Sequence, residues 1–433
     1  KGNICLQRGK SMIIRIRWKN DILWPLLIIF MVRFYTENYQ LAFILDVMWM
    51  MTMIFKNGKI VFHLPRVRGL ALFVAMIIIS VYIGGLYNDM RDIVKDVFYV
   101  SQTVVIIVIG YQCYYLKKTK DLKKTLYIAG LGMGIFSVGR VLINVAQITD
   151  MHSIREVSSR EVYEVAFILC ILLADKLIMN RVVFSKVMDW VAVAIMLLNV
   201  VLSMGRAQIV SMFVMIVTML AFNVLIGKNR VSRLIKLGIS VGILVMISLV
   251  LYLALPQNIQ DEFNEKMTVS FNEISSNDDY DGYMKAIQHW RGFEIEQAKV
   301  QWEKAPVWQK VFGEGLGTYI QVKYIPSEFT EDMHRGKSIA LLHNAYYTLL
   351  IKGGLLGTFS LIWLYISNIL EFFRVKSYFL KKETIILVMV TVGMIIMSYI
   401  VNGNFGFRTW IAWGIMVGWI NAEIRAYKEA GIN

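Results

Sequence analysis

Charge is scarce in this chain, and acid is scarcer than base. Only 18% of the 433 residues are Asp, Glu, Lys or Arg, against 57% hydrophobic ones, and the mean hydropathy is +0.55. So few charges cannot clothe a water-facing surface, which excludes a soluble globular domain and leaves an integral membrane protein. Cysteine is scarcer still: Cys5, Cys113 and Cys170 are the three. None falls in the long polar stretch 256–342, so that stretch must fold without disulfides, and no Cys/His spacing suggests a metal site. Neither metal nor cofactor is expected. No cleavable signal peptide is evident, because the basic start runs into an apolar span interrupted by Arg33 and lacks a small-residue cleavage site.

What the chain has instead is apolar runs of helix-spanning length, about 20 residues each. Twelve are expected, at roughly 22–35, 39–55, 69–87, 97–116, 125–147, 163–180, 187–202, 207–226, 237–255, 343–370, 384–401 and 409–424. Lys and Arg set the orientation, since short cytoplasmic segments retain positive charge. With the N-terminus inside, the cytoplasmic segments hold 28 basic residues. The short external hairpins hold six, Arg91, Lys95, Arg155, Arg160, Arg206 and Arg408. The +15 net charge is therefore topological, and no nucleic acid is implied. The expected fold is an all-α integral membrane protein of about 12 transmembrane helices, both termini cytoplasmic, with a large, partly helical extracytoplasmic loop between helices 9 and 10. Its parts are an N-terminal bundle of about nine helices at 1–255, the loop at 256–342, and about three C-terminal helices with a cytoplasmic tail at 343–433.

A connection of that length is usually functional or disordered, and its aromatic residues, Trp290, Phe293, Trp302, Trp308 and Phe312 among them, argue against disorder. From Asp281 to Lys304 the pattern predicts an amphipathic helix, with Ile287, Trp290, Glu294 and Ala298 on one face, stopping before Pro306. A helix lying on the bilayer surface or capping the bundle fits that shape. Gly313-Glu314-Gly315-Leu316-Gly317 lacks the flanking strand, helix and Lys-Ser/Thr pair of a phosphate loop. It reads as tight turns that let backbone approach another surface.

Four arginines stand near the expected outer membrane level: Arg140, with Asn144 and Gln147 continuing its face at i+4 and i+7, Arg206 in a tight turn, Arg291 on the loop helix, and Arg408. Arg140, Arg206 and Arg408 are each accounted for alone as a snorkelling side chain. Together with Arg291 they describe an anion site suited to a diphosphate, since guanidinium forks bind phosphate oxygens bidentately. LLHNAYYTLLIKGGLLG, residues 341–357, puts His343 and Asn344 at the head of the tenth run. Asn344 suits a helix cap, Gly353 and Gly357 suit close helix packing, and a histidine can exchange a proton near neutral pH.

His343-Asn344, nine residues, Gly354, two residues and Gly357 resemble the His-Asn-x9-Gly-x2-Gly signature of the O-antigen ligase and O-antigen polymerase superfamily. Arg291 leading into Gly313-Glu314-Gly315-Leu316-Gly317 is similar to that family's loop pattern. Arg206 resembles its first functional arginine, though Gly205-Arg206-Ala207 departs from the Ser-Arg-Gly of many relatives. The likeness covers about 200 residues, from the seventh run to the tenth. It implies a metal-independent membrane glycosyltransferase acting on a glycan carried by undecaprenyl diphosphate, at the outer face of the bacterial inner membrane. The acceptor is a lipid-linked glycan in a polymerase, the reading slightly favoured, or lipid A core in a ligase. Catalytic roles carry over to His343, which handles the acceptor hydroxyl, and to Arg206 and Arg291, which bind diphosphate. Asn344, Arg140 and Arg408 are added as substrate-binding residues, the two arginines on charge placement alone. Membrane lipids, a chain-length regulator and a flippase complete the partners such a machinery admits. A polytopic transporter or flippase is the alternative of another class, but the repeated halves many transporters carry are not seen.

Overall fold

The computed structural model describes residues 23–36, 38–56, 59–116, 119–158, 162–226, 230–275, 280, 282–327, 335–405 and 411–431. Arg408, Cys5 and Asp281 lie outside the described residues. The first helices in chain order are α1 (Leu23–Met31), α2 (Tyr39–Ile54), α3 (Leu70–Tyr87), α4 (Met90–Tyr115), α5 (Thr119–Ile143), α6 (Met151–Ser158), α7 (Val162–Leu177), α8 (Lys186–Leu202), α9 (Arg206–Leu225) and α10 (Arg230–Leu253). The long connection contributes α11 (Gln257–Ser275), α12 (Tyr283–Gln288), α13 (Trp290–Lys304) and α14 (Val307–Phe312); α15 (Ala345–Arg374), α16 (Tyr378–Ile400) and α17 (Ile411–Glu429) follow. Strand pairing among the described residues is confined to two antiparallel ladders of two-residue strands, β1 (Phe55–Lys56) with β2 (Lys59–Ile60) and β3 (Ile320–Gln321) with β4 (Ser338–Ile339).

Each of the twelve expected apolar runs carries a helix. Among the described residues six are long and apolar enough to cross a membrane, on α3, α4, α5, α9, α15 and α16. The pair Val241–Leu253 and Gln257–Thr268, bent by 120°, makes a seventh if it is one span. The chain is all-α and multi-pass. In place of one helix from 281 to 304, the structure has α12 and α13, parted at His289 (φ −110°, ψ 41°). The break re-aims the second segment, so that Phe293, Glu294 and Ala298 are buried together. On α12 it is Ala286, rather than Ile287, that is buried.

Backbone proximity sets the packing of α4 against α17. A Cβ on Gly110 of α4 would collide with the Ile415 backbone, and one on Gly418 of α17 with the Ile107 carbonyl, so α4 and α17 lie against each other through glycines. This small-residue contact is the membrane solution to association where burial from water gives no drive. Several charges inside the bundle are paired. Arg33, which interrupts the first run, bonds Asp46, and both are almost fully buried; Lys123 bonds Asp175 and Glu383 at 2.9 and 3.0 Å. Losing one partner of such a pair would leave an uncompensated charge in a poorly solvating interior.

The glycine turn after α14 is what fastens the long connection to the bundle. Gly313, Gly315 and Gly317 have φ of 82°, 90° and 90°, a conformation that L side chains rarely adopt. Glu314 and Gly315 donate backbone N–H groups to the carbonyls of Ile351 and Lys352 (2.8 and 3.1 Å), and Leu316 donates to Ser80 of α3 (2.8 Å). Those α15 carbonyls are available because Gly354 leaves helical geometry (φ 62°, ψ −159°). A Cβ on Gly315 would collide with the Gly84 backbone, and one on Gly313 with Lys352. Below the turn, Lys352 bonds Asp96 and the Thr318 carbonyl, while Gly317 donates its N–H to Asp96 at 2.6 Å.

Candidate functional site

Helix α13 runs beside the start of α15, and its register determines what faces the histidine. Arg291 and Glu294 stand three residues apart, hence on neighbouring positions of one face. Glu294 is 1% exposed, a position a carboxylate holds only with donors supplied. His343 supplies two: its backbone N–H at 2.9 Å and its ring Nδ1 at 3.0 and 3.1 Å from the two carboxylate oxygens. The His343 side chain itself is 42% exposed. A carboxylate engaging Nδ1 favours the tautomer with the proton there, which leaves Nε2 as the acceptor. That is the arrangement a general base requires.

Asn344 caps α15 as its sequence position predicts, its Oδ1 accepting from the N–H groups of Tyr346 and Tyr347 at 3.0 and 3.2 Å. Behind the histidine, the Asn402 N–H bonds the His343 carbonyl, tying the α16 end of the bundle to the same point. Asn402 has φ 64°, which asparagine tolerates better than most residues. Arg291 is half-buried, and among the described residues its guanidinium has no hydrogen-bond or ion-pair partner. It is a positive charge one helical turn from the carboxylate that holds His343.

The two other expected arginines that the structure describes are engaged elsewhere. Arg206, first residue of α9, donates to the backbone carbonyl of Lys266 on α11. Arg140, in the last turn of α5, lies over the rings of Phe136 and Tyr35, 5.1 and 5.8 Å from their centroids. Neither has a described contact with His343, Asn344 or Arg291, so the structure gathers three of the six expected residues around the α13–α15 contact. Sequence reasoning put Glu294 on one face of the loop helix without pairing it to His343. The available signal was a lone carboxylate on an otherwise apolar helix face, one turn from an arginine. Among the described residues no cluster of His, Cys, Asp and Glu could hold a metal ion.

About seven residues further along α13 lies the cleft of greatest interest, about 860 Å³, between that helix, the α3–α4 corner and the glycine turn. Its inner polar groups orient one another: Gln301 donates to Glu314 at 3.1 Å and accepts from the Gln321 N–H at 2.9 Å, and Tyr319 donates to Asp92 at 3.0 Å. Burial pushes the Glu314 carboxyl above the ordinary range, countered by Gln301 and Lys352. Burial, with the nearby Asp92, pushes the Tyr319 hydroxyl up to about 12.

Residues 191–362, from α8 to the middle of α15, match the sequence family described as O-antigen ligase. The match takes in Arg206, Arg291, the glycine turn, His343 and Asn344, and it supports the O-antigen ligase and polymerase superfamily. No curated protein matches the chain.

Proposed function

We propose that this chain, supported by its O-antigen ligase match over 191–362, is a glycosyltransferase of surface polysaccharide assembly in the bacterial inner membrane. It transfers a glycan from an undecaprenyl diphosphate donor to a sugar hydroxyl at the outer face. The observation that carries the reading is the half-exposed His343 whose Nδ1 is held by buried Glu294, one turn from the guanidinium of Arg291, which has no partner among the described residues. Nε2 of His343 takes the proton of the acceptor hydroxyl as its oxygen attacks the anomeric carbon. The bond from that carbon to the diphosphate breaks, and Arg291 stabilises the charge left on the phosphate oxygens. Arg206 is assigned to the same diphosphate on the resemblance of its motif, and Arg140 and Arg408 on charge placement. The parts assigned are the bundle 1–255, an outward loop 256–342 and the C-terminal helices 343–433, with both termini cytoplasmic on the distribution of Lys and Arg.

Polymerisation is the reading slightly favoured for the acceptor; the family's description supports a second, ligation to lipid A core. Purified protein given lipid-linked glycan repeats should build a ladder of lengths on the lipid carrier. A single transfer to lipid A core, with no ladder, would make it a ligase. Donor left unconsumed with either acceptor would overturn the glycosyltransferase reading.

A further inference from the structure

The cleft beside Gln301 is not needed by the transfer chemistry, and its lining is specific enough to name a ligand class. Its volume, about 860 Å³, lies within the ordinary range of small-molecule sites. Among the described residues three carboxylates line it, Asp89, Asp92 and Glu314, against one guanidinium, Arg335, which reaches Asp89 and Asp92 at 3.4 and 3.3 Å. That balance repels phosphate and other anions. The donors that would hold a metal ion are not clustered among the described residues, and a lining dominated by amides and carboxylates does not suit a lipid tail.

What remains is a ligand presenting many hydroxyls, each both donor and acceptor. The Gln309 side chain lines the cleft and has no described partner; Arg335 is 66% exposed with donors to spare. At the rim Tyr87 is 66% exposed and packs 6.0 Å from Trp308, giving the apolar side of a sugar ring a flat surface. The inner groups are already fixed by mutual hydrogen bonds, so little ordering is required on binding.

Position adds a second argument. Helix α13 carries Arg291, Glu294 and Gln301, and at a rise of 1.5 Å per residue Gln301 stands about 10 Å along the axis from the carboxylate that holds His343. A short oligosaccharide covers that length. We propose that this cleft is a carbohydrate subsite that takes an uncharged or amino-sugar oligosaccharide, and that it holds glycan residues remote from the bond being made. The inference rests on the glycosyltransferase reading for its purpose, but its binding chemistry is testable by itself.

The test uses the full chain in lipid nanodiscs and four fluorescently labelled pentasaccharides: chitopentaose, xylopentaose and mannopentaose as uncharged probes, and pentagalacturonate as an acidic one. At least one uncharged probe should bind, and the acidic one should bind more weakly. Tyr87→Ala with Gln309→Ala should weaken binding about tenfold, the loss of roughly 1.4 kcal/mol, and both residues sit outside the catalytic machinery. Arg291→Lys should leave probe binding unchanged while removing transfer. Equal or tighter binding of pentagalacturonate, no binding of any uncharged probe at millimolar concentration, or unaltered binding by the double variant would each overturn the subsite. If the subsite fails while Arg291→Lys still removes transfer, the glycosyltransferase reading stands.

Discussion

Two acid–base pairs sit nine residues apart at the head of α15, and solvent divides them. Lys352 and Asp96 are 1% and 3% exposed, and their bond fastens the glycine turn into the bundle. His343 is 42% exposed and only its partner, Glu294, is buried at 1%. Similar chemistry thus yields two outcomes: a pair closed on both sides is an anchor, whereas a pair closed on one side presents an oriented ring nitrogen. The contrast teaches that burial of the carboxylate alone does not separate the two pairs; the accessibility of its partner does.

The largest effect is expected at the open pair. His343→Ala should lower transfer by about 10²- to 10⁴-fold, the usual contribution of a general base, while lipid-linked donor still binds. Near-normal transfer by this variant would erase the distinction between the two pairs. Glu294→Gln should cost less, roughly 10- to 100-fold if it acts like carboxylates that orient metal-bound histidines. Near-normal transfer by Glu294→Gln would reduce Glu294 to a packing role.

At the closed pair the expected effect is on stability. Lys352→Met leaves Asp96 buried without its cation and should destabilise by about 3–5 kcal/mol, read as a lower melting temperature of the purified protein. Adding Asp96→Leu should recover most of that loss, since replacing both partners with apolar groups is often nearly neutral. A double variant no more stable than the single would show that the pair is more than an anchor.

The smallest effect belongs to Glu314, whose raised carboxyl binds its proton more tightly folded than unfolded. Its contribution is fully present below the ordinary carboxylate pKa and is lost as pH rises through the raised folded value. Glu314→Gln should therefore reduce the fall in melting temperature across that window. An identical pH dependence in both proteins would show that Glu314 is not the group responsible.

The apolar runs declared the helices because their length and composition are local properties of the chain. Among the described residues each of the twelve runs carries a helix, whereas length and hydropathy qualify six or seven as spans. The glycine turn was legible as a close backbone approach, since only that use explains alternating glycines without a phosphate-loop context. Its destination was not. Ile351, Lys352, Ser80 and Gly84 meet it from two distant helices, and no local pattern carries that pairing.

The site divides in the same way. The sequence by itself determined that His343 and Asn344 head a helix and that Arg291 lies on another, because capping and periodicity act within a few residues. Only the tertiary structure decided that Glu294, 49 residues before His343, closes on its Nδ1, and that Arg206 instead reaches α11. Pairings of this kind depend on the break at His289 and on how α13 settles against α15, where desolvation of a carboxylate is tolerated only at the one place that returns its hydrogen bonds.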